Sequence, residues 1–319
     1  MRVHRDFHAL PADARGCVVA LGNFDGVHRG HQAVFGAARA IARRDRLPLA
    51  VLTFEPHPRA LFNPEAPPFR LTPFRPKLRL MEALGVERAF VLRFTRALSL
   101  MPAESFARDV LIGQLGARHI VVGYDYVFGH QRRGTAELLG GVAEAGGFAF
   151  TCVEPVSGDS EPEVFSSTRA RSHLRDGAPA KAAQILGRNW EIEGRVRTGR
   201  RLGHTIGVPT ANIALDGYLR PAFGVYACHV ALDEGGATRW LDGVANIGVR
   251  PTVGGSGELL EVHLFDFAGD LYGRRLRVAL AEFLRGEARF DGLPALKAQI
   301  ASDMEQARAL LSGRVPLRA

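Results

Sequence analysis

The sequence has no apolar run approaching the ~18 residues of a membrane-spanning helix. Its opening, Met1-Arg2-Val3-His4-Arg5-Asp6, lacks the apolar core of a secretory signal. Cysteine is scarce. Cys17, Cys152 and Cys228 lie far apart within apolar stretches, a spacing that suits neither a metal site nor a disulfide framework. Together these absences predict a cytoplasmic protein with reduced thiols and no membrane partner. Lysine is scarcer than the charge suggests, since of 41 basic residues only Lys77, Lys181 and Lys297 are not arginine. The net charge of +8 is uneven, with +6 on residues 1–185 and +2 on residues 186–319. A basic tail and a stripe of interleaved basic and aromatic residues are both missing, so nucleic acid is not the expected partner. Arginine holds phosphate bidentately, and small phosphorylated ligands explain the charge equally well, as does a genomic bias in composition. At 319 residues the chain is long for one domain, and two are expected.

What the chain does have is Leu21-Gly22-Asn23-Phe24-Asp25-Gly26-Val27-His28-Arg29-Gly30-His31. Cys17–Leu21 reads as a buried strand, and Val34, Ala37, Ala38 and Ile41 keep helical spacing from about Gly30 to Arg44. Strand, glycine-bearing turn and helix N-terminus make an anion site. His28-x-Gly30-His31 adds two imidazoles there, unlike the lysine-bearing phosphate loop or the dinucleotide fingerprint. A second strand, Leu47–Phe54, runs into Glu55-Pro56-His57-Pro58-Arg59 and a long loop carrying Phe62, Phe69 and Phe74. Pro76–Leu84 and Ala103–Leu115 read as helices, Arg88–Phe94 and His119–Val122 as strands. Repeated βα units predict a doubly wound, Rossmann-like α/β domain over residues 1–185. Its last strand leads into Gly123-Tyr124-Asp125-Tyr126-Val127-Phe128-Gly129, a second glycine-punctuated loop. Phe165-Ser166-Ser167-Thr168-Arg169-Ala170-Arg171 is a helix start, and capping alone accounts for Ser166 or Ser167 but not for Arg171.

Beyond residue 186 the pattern changes to short β-rich runs: Trp190–Arg197, Gly224–Leu232, Arg239–Ile247, Leu259–Phe267 and Arg274–Leu284. They predict a small antiparallel β-barrel over residues 186–319, closed by a helix, Leu293–Leu311, with Leu296, Ile300, Met304 and Ala307 on one face. Thr210 and Asn212 place two neutral oxygens on one side of an extended chain. Glu261, between Leu260 and Val262, is either an outward-facing strand residue or a carboxylate aimed into the active-site end of the barrel.

The first string resembles the H-x-G-H signature of the nucleotidyltransferase superfamily and, in full, the bacterial bifunctional riboflavin kinase/FMN adenylyltransferase family. Thr53-Phe54-Glu55-Pro56-His57-Pro58, Val122-Gly123-Tyr124-Asp125-Tyr126-Val127-Phe128-Gly129, Gly207-Val208-Pro209-Thr210-Ala211-Asn212-Ile213, Asn246-Ile247-Gly248-Val249-Arg250-Pro251-Thr252, Glu261-Val262-His263-Leu264 and Leu271-Tyr272-Gly273 are similar to further strings of that family. The resemblance implies riboflavin, FMN and ATP as substrates and Mg²⁺ as cofactor. It implies His28 and His31 as catalytic in adenylyl transfer, with Gly22, Asn23, Phe24, Asp25, Gly30, Gly123, Asp125, Ser166, Ser167, Thr168 and Arg171 on ATP. In the kinase it implies Glu261 as catalytic base and Gly194, Gly199, Gly207, Thr210 and Asn212 on ATP, the last two also on the metal. Phe54, Pro56, Pro58, Phe62, Phe128, Asn246 and Arg250 are implied on flavin. His204 stands where the family usually has arginine, with Arg200 and Arg201 near enough to compensate. The expected state is a monomer or weak homo-oligomer. Two rival readings are a nucleotidyltransferase for a pantetheine or nicotinamide precursor with a regulatory second domain, and a nucleotide sensor fused to a nucleic-acid-binding barrel. Thr210, Asn212 and Glu261 oppose the first, and mostly aliphatic barrel strands oppose the second.

Overall fold

The computed structural model describes residues 1–5, 10–158, 161–198, 207–234, 237–252 and 255–317. The chain forms two compact units, one of Met1–Pro67 and Thr72–Ser166, the other of Pro68–Leu71 and Ser167–Arg318.

In the first unit, strands β1 (Arg2–His4), β2 (Val18–Leu21), β3 (Leu49–Glu55), β4 (Arg88–Arg93), β5 (His119–Gly123) and β6 (Ala149–Val153) form one parallel sheet. Its order is β1-β4-β3-β2-β5-β6, so the chain winds outward from β2 in both directions. The C-terminal ends of β2 and β5 are therefore the switch point at which such sheets bind ligands. Every residue of β2 is buried, as a strand covered on both faces requires. One face packs Val19, Leu21, Leu52 and Ile120 against Phe106 and Leu111. The other packs Val18, Ala20 and Val51 against Phe35 and Ala38 of helix α1 (Arg29–Asp45) and against Leu80 and Met81. The last two belong to α3 (Phe74–Ala83), which follows the short α2 (Pro58–Phe62).

Two details differ from the periodicity. Within the predicted helix Ala103–Leu115, only Ala103–Ser105 is α-helical and Phe106–Gln114 winds as a π-helix that buries Phe106, Ala107, Val110 and Leu111. Strand β6 is an added edge strand of partly exposed residues outside the predicted set. A small hairpin, β7 (Ser157–Gly158) with β8 (Glu161–Val164), precedes Phe165.

In the second unit, β9 (Trp190–Arg195), β10 (Ala211–Ala214), β11 (Gly224–Glu234), β12 (Ala237–Thr252), β13 (Gly255–Leu264) and β14 (Arg275–Gly286) form an antiparallel sheet of order β10-β13-β12-β11-β14-β9. The Arg197 amide donates to the Asn212 carbonyl at 2.9 Å and joins its two ends into a barrel. Gly194 makes that closure possible, because a Cβ there would lie 2.3 Å from Ile213 Cγ2. Ile192, Ile213, Leu260, Val262, Leu276 and Val278 fill the interior. Outside, Val225, Ala227, Val244 and Ala281 are covered by Ala307 and Leu311 of the C-terminal helix Leu293–Leu311. That helix is pinned by Arg285, whose guanidinium meets Asp303 at 2.6 Å. Helices Ser167–Arg175 and Pro179–Leu186 and the segment Pro68–Leu71 complete the unit. The Trp190 indole donates to the Leu71 carbonyl, and the Leu219 amide to the Arg70 carbonyl, both at 2.8 Å.

Candidate active sites

Three loops leave the C-terminal ends of the neighbouring strands β3, β2 and β5, and they carry most of the first unit's expected residues. Gly22 to Val27 follow β2, and His28 is the N-cap of α1. Its Nδ1 accepts from the His31 amide at 3.4 Å, and the two rings stack at 3.6 Å. Gly30 allows this, since a Cβ there would sit 3.1 Å from the His28 ring. Both imidazoles therefore stand at the positive end of α1, where amides not used within the helix and the helix dipole favour phosphate.

The loop is tied down hard, which its left-handed Phe24 (φ 52) and Val27 (φ 45) require. Asp25 accepts from the Thr72 amide at 2.9 Å and the Thr72 hydroxyl at 3.3 Å, and the Gly26 amide donates to that hydroxyl at 2.8 Å. Asp25 is thus buried and holds the turn in shape. Phe24 meets His31 edge-on at 5.2 Å. Asp125 is exposed in the loop after β5.

The three phenylalanines implied on flavin are joined into one aromatic chain. Phe54 of β3 meets Phe94 at 5.6 Å, and Phe94 meets Phe62 at 6.0 Å. In the other direction Phe54 meets Phe106 at 6.3 Å, and Phe106 meets Phe128 at 5.8 Å. Sequence reading singled out Phe54, Phe62 and Phe128 but missed the two rings between them. Phe62, at 56% exposure, ends the chain on a face open to a planar ligand. Pro58 opens the short helix that Phe62 ends. Tyr126 stacks on Phe128, and burial pushes its phenol well above the usual range. Ser166 is the last residue of the first unit. Ser167, Thr168 and Arg171 belong to the second, where Arg171 Nε donates to the Phe69 carbonyl at 2.9 Å.

In the barrel, register does what spacing could not show. Asn212 lies opposite Glu261 on β10 and β13, and Glu261 lies opposite Asn246 on β13 and β12. Their neighbours Ala211, Ile213, Leu260, Val262, Ala245 and Ile247 are all buried in the interior. Alternation therefore turns the Asn212–Glu261–Asn246 row to the outer face, the side that the C-terminal helix partly covers. The pleat thus places Glu261 on one face with Asn212 and Asn246. His263, two residues on, contacts the Pro209 carbonyl at 2.8 Å and fixes the approach to Thr210. Thr210 lines a cleft of about 390 Å³ with Pro209, Val262, Asp270, Leu271 and Tyr272. Asp270 and Tyr272 were not expected there, although Leu271-Tyr272-Gly273 had marked the place. Gly194 sits on β9, Gly207 is an exposed turn residue with φ +82, and Arg250 pairs with Gly257. Gly199, Arg200, Arg201 and His204 lie outside the described residues. No group of three His, Cys, Asp or Glu suited to a metal occurs among the described residues. The donors present, Thr210 and Asn212, are neutral oxygens. They fit a hard cation that draws most of its shell from phosphate and water.

The FAD synthetase family model matches residues 10–169, and the riboflavin kinase model matches residues 186–311. The bifunctional riboflavin kinase/FMN adenylyltransferase of Escherichia coli K12 is 43% identical over 97% of both chains. The chain belongs to that family. Members in Pseudomonas fluorescens, at 42% identity over 97% of this chain and 98% of the relative, and in Bacillus subtilis, at 35% over 94% of each, agree. The crystal structure of a macrolide-efflux protein from Streptococcus pneumoniae superposes with a TM-score of 0.83 at 32% identity, covering 96% of this chain and 98% of that one. Efflux is said of that protein. Among the described residues here, no helix is long and apolar enough to cross a membrane. Family membership leaves no place for the pantetheine, nicotinamide or nucleic-acid readings.

Proposed function

We propose that the chain makes FAD from riboflavin in two ATP-dependent steps, with riboflavin phosphorylated by the barrel unit and FMN adenylylated by the α/β unit. The reading rests on one observation: residues 10–169 match the FAD synthetase model and residues 186–311 the riboflavin kinase model, so each step has its own stretch of chain. FMN's phosphate is largely dianionic at neutral pH, since second phosphate pKa values are about 6. Adenylyl transfer therefore needs charge stabilisation on the α-phosphate and pyrophosphate and no general base. His28, His31 and the α1 N-terminus meet that need, with Gly22, Asn23, Gly30, Gly123 and Asp125 framing the nucleotide. Ser166, Ser167, Thr168 and Arg171 are assigned to its outer phosphates. The ring of Phe62, backed by Phe54 and Phe128, takes the isoalloxazine.

Riboflavin's 5′-hydroxyl is neutral and must lose a proton. Glu261 accepts it, with Asn246 and Arg250 on the flavin side and Thr210 and Asn212 on the nucleotide side. Thr210 and Asn212 would hold Mg²⁺, which when bound would neutralise charge on the phosphates. The remaining assignments are a cytoplasmic location, no nucleic-acid or membrane partner, a monomeric or weakly associating state, and domains of residues 1–185 and 186–319. Incubation with riboflavin, ATP and Mg²⁺, followed by separation of the flavins, tests the function. FMN and then FAD are expected, and failure to form either product would remove the corresponding half of the proposal.

A further inference from the structure

In a chain that writes nearly every cation as arginine, Lys77 is a buried exception, at 2% exposure on α3. Its ammonium lies 3.2 Å from the Asn23 carbonyl, 3.2 Å from Thr53 Oγ1 and 3.4 Å from Glu55 Oε1. These acceptors come from a loop and a neighbouring strand end. Asn23 is in the phosphate-side turn after β2, and Thr53 and Glu55 end β3, where the flavin-side loop begins. Thr53 Oγ1 also reaches the Asn23 carbonyl, at 3.3 Å, so the three groups form one knot. A buried ammonium is costly unless it is paired and hydrogen-bonded, and both conditions are met here. Three acceptors around one nitrogen suit a compact ammonium with three donors, whereas a planar guanidinium would spread its donors over a wider fork.

We propose that Lys77 is a positioning residue for adenylyl transfer, fixing the phosphate-side turn against the flavin-side strand end. The proposal rests on the adenylyltransferase reading above. Attack of the FMN phosphate on the α-phosphorus of ATP requires the two loops to hold their substrates in register. Catalytic groups must be held within about 0.5 Å, and a misplacement of about 1 Å costs on the order of 10²-fold in rate. Lys77 joins the Asn23 carbonyl of the turn to the Thr53 and Glu55 side chains of the strand end. It sets the distance between their backbones, and its loss should appear in kcat, not in the binding of either substrate alone.

The test uses the full-length protein and supplied FMN, ATP and Mg²⁺. Wild type is assayed first. If it forms no FAD, the adenylyltransferase reading fails whatever Lys77 does. Given wild-type activity, Lys77→Met is expected to lower kcat by about 10- to 100-fold, with KM for FMN and for ATP within about threefold. Lys77→Arg should not restore the rate, and riboflavin phosphorylation should stay at the wild-type level in both. Glu55→Gln should show a milder loss, again in kcat alone, and Lys77→Met/Glu55→Gln should be no worse than Lys77→Met. A kcat within threefold of wild type, a loss confined to KM, full rescue by arginine or additive losses would each overturn the proposal. Should Lys77→Met fail to unfold cooperatively, Glu55→Gln and Thr53→Val decide. A kcat-only loss in them supports the role, and unchanged rates reject it.

Discussion

His31 and Glu261 show how little a residue's identity says without its neighbours. A lone histidine after a strand is unremarkable, but His31 shares a helix N-terminus with a second imidazole at 3.6 Å. If both donate to charge that develops on the phosphates, His31→Ala should lower FAD formation from FMN by on the order of 10²–10³, as lost oxyanion donors do. Riboflavin phosphorylation should be untouched, and a variant that adenylylates FMN at the normal rate refutes the role. Glu261 is 8% exposed in a cross-strand row with Asn212 and Asn246. Glu261→Gln keeps shape but cannot take a proton, and general-base catalysis is worth about 10²–10⁴. FMN formation should fall by that order while adenylylation of supplied FMN continues. Survival of the kinase rate within about threefold would make Glu261 a strand residue and nothing more.

At the scale of elements, the closing helix carries a buried carboxylate held by a charged contact. Asp303 is 4% exposed and accepts from Arg285 Nε and Nη2 and from Gln299. Removing one partner of a buried pair costs about 3–5 kcal/mol, and somewhat less where the other can reach water. Asp303→Ala should therefore lower stability to urea by about 2–3 kcal/mol, and a change below about 0.5 kcal/mol would mean that apolar contacts alone seat the helix. The β5–β6 pair carries a pH dependence. Burial, and secondarily the charge of Arg44, holds the His119 imidazole below its ordinary pKa of 6.5. Below that value the unfolded chain takes up a proton that the folded chain resists, so stability falls as pH drops and is full above it. The loss of urea stability between pH 7.5 and 5.5 should shrink in His119→Gln, which can still bond Thr151. An equal loss in the variant assigns the acid sensitivity to other groups.

At the scale of the whole molecule, two machineries in two units predict complementation. Neither His31→Ala nor Glu261→Gln alone should convert riboflavin to FAD at a useful rate. Mixed, the first supplies FMN and the second adenylylates it, and FAD should appear after a lag as FMN builds up in solution. If each variant keeps its own half-reaction but the mixture makes no FAD, FMN is passed on within one molecule without release.

The α/β-then-barrel order, the turn from Gly22 to His31 and the separate strings of the barrel were legible in the sequence because each is local. Strand, glycine turn and helix start follow one another along the chain, and period-2 runs announce themselves. Register is not local. That Asn212, Glu261 and Asn246 form one row depends on how β10, β12 and β13 slide past each other. The interior side chains that set this register are scattered over more than fifty residues. Long-range closure likewise decided Gly194, whose missing Cβ seats Ile213, and Phe94 and Phe106, which join rings far apart in sequence. Lys77 was visible only as a rarity of composition. Folding alone brought Asn23, Thr53 and Glu55 around its nitrogen, because packing places three separate segments at one buried point.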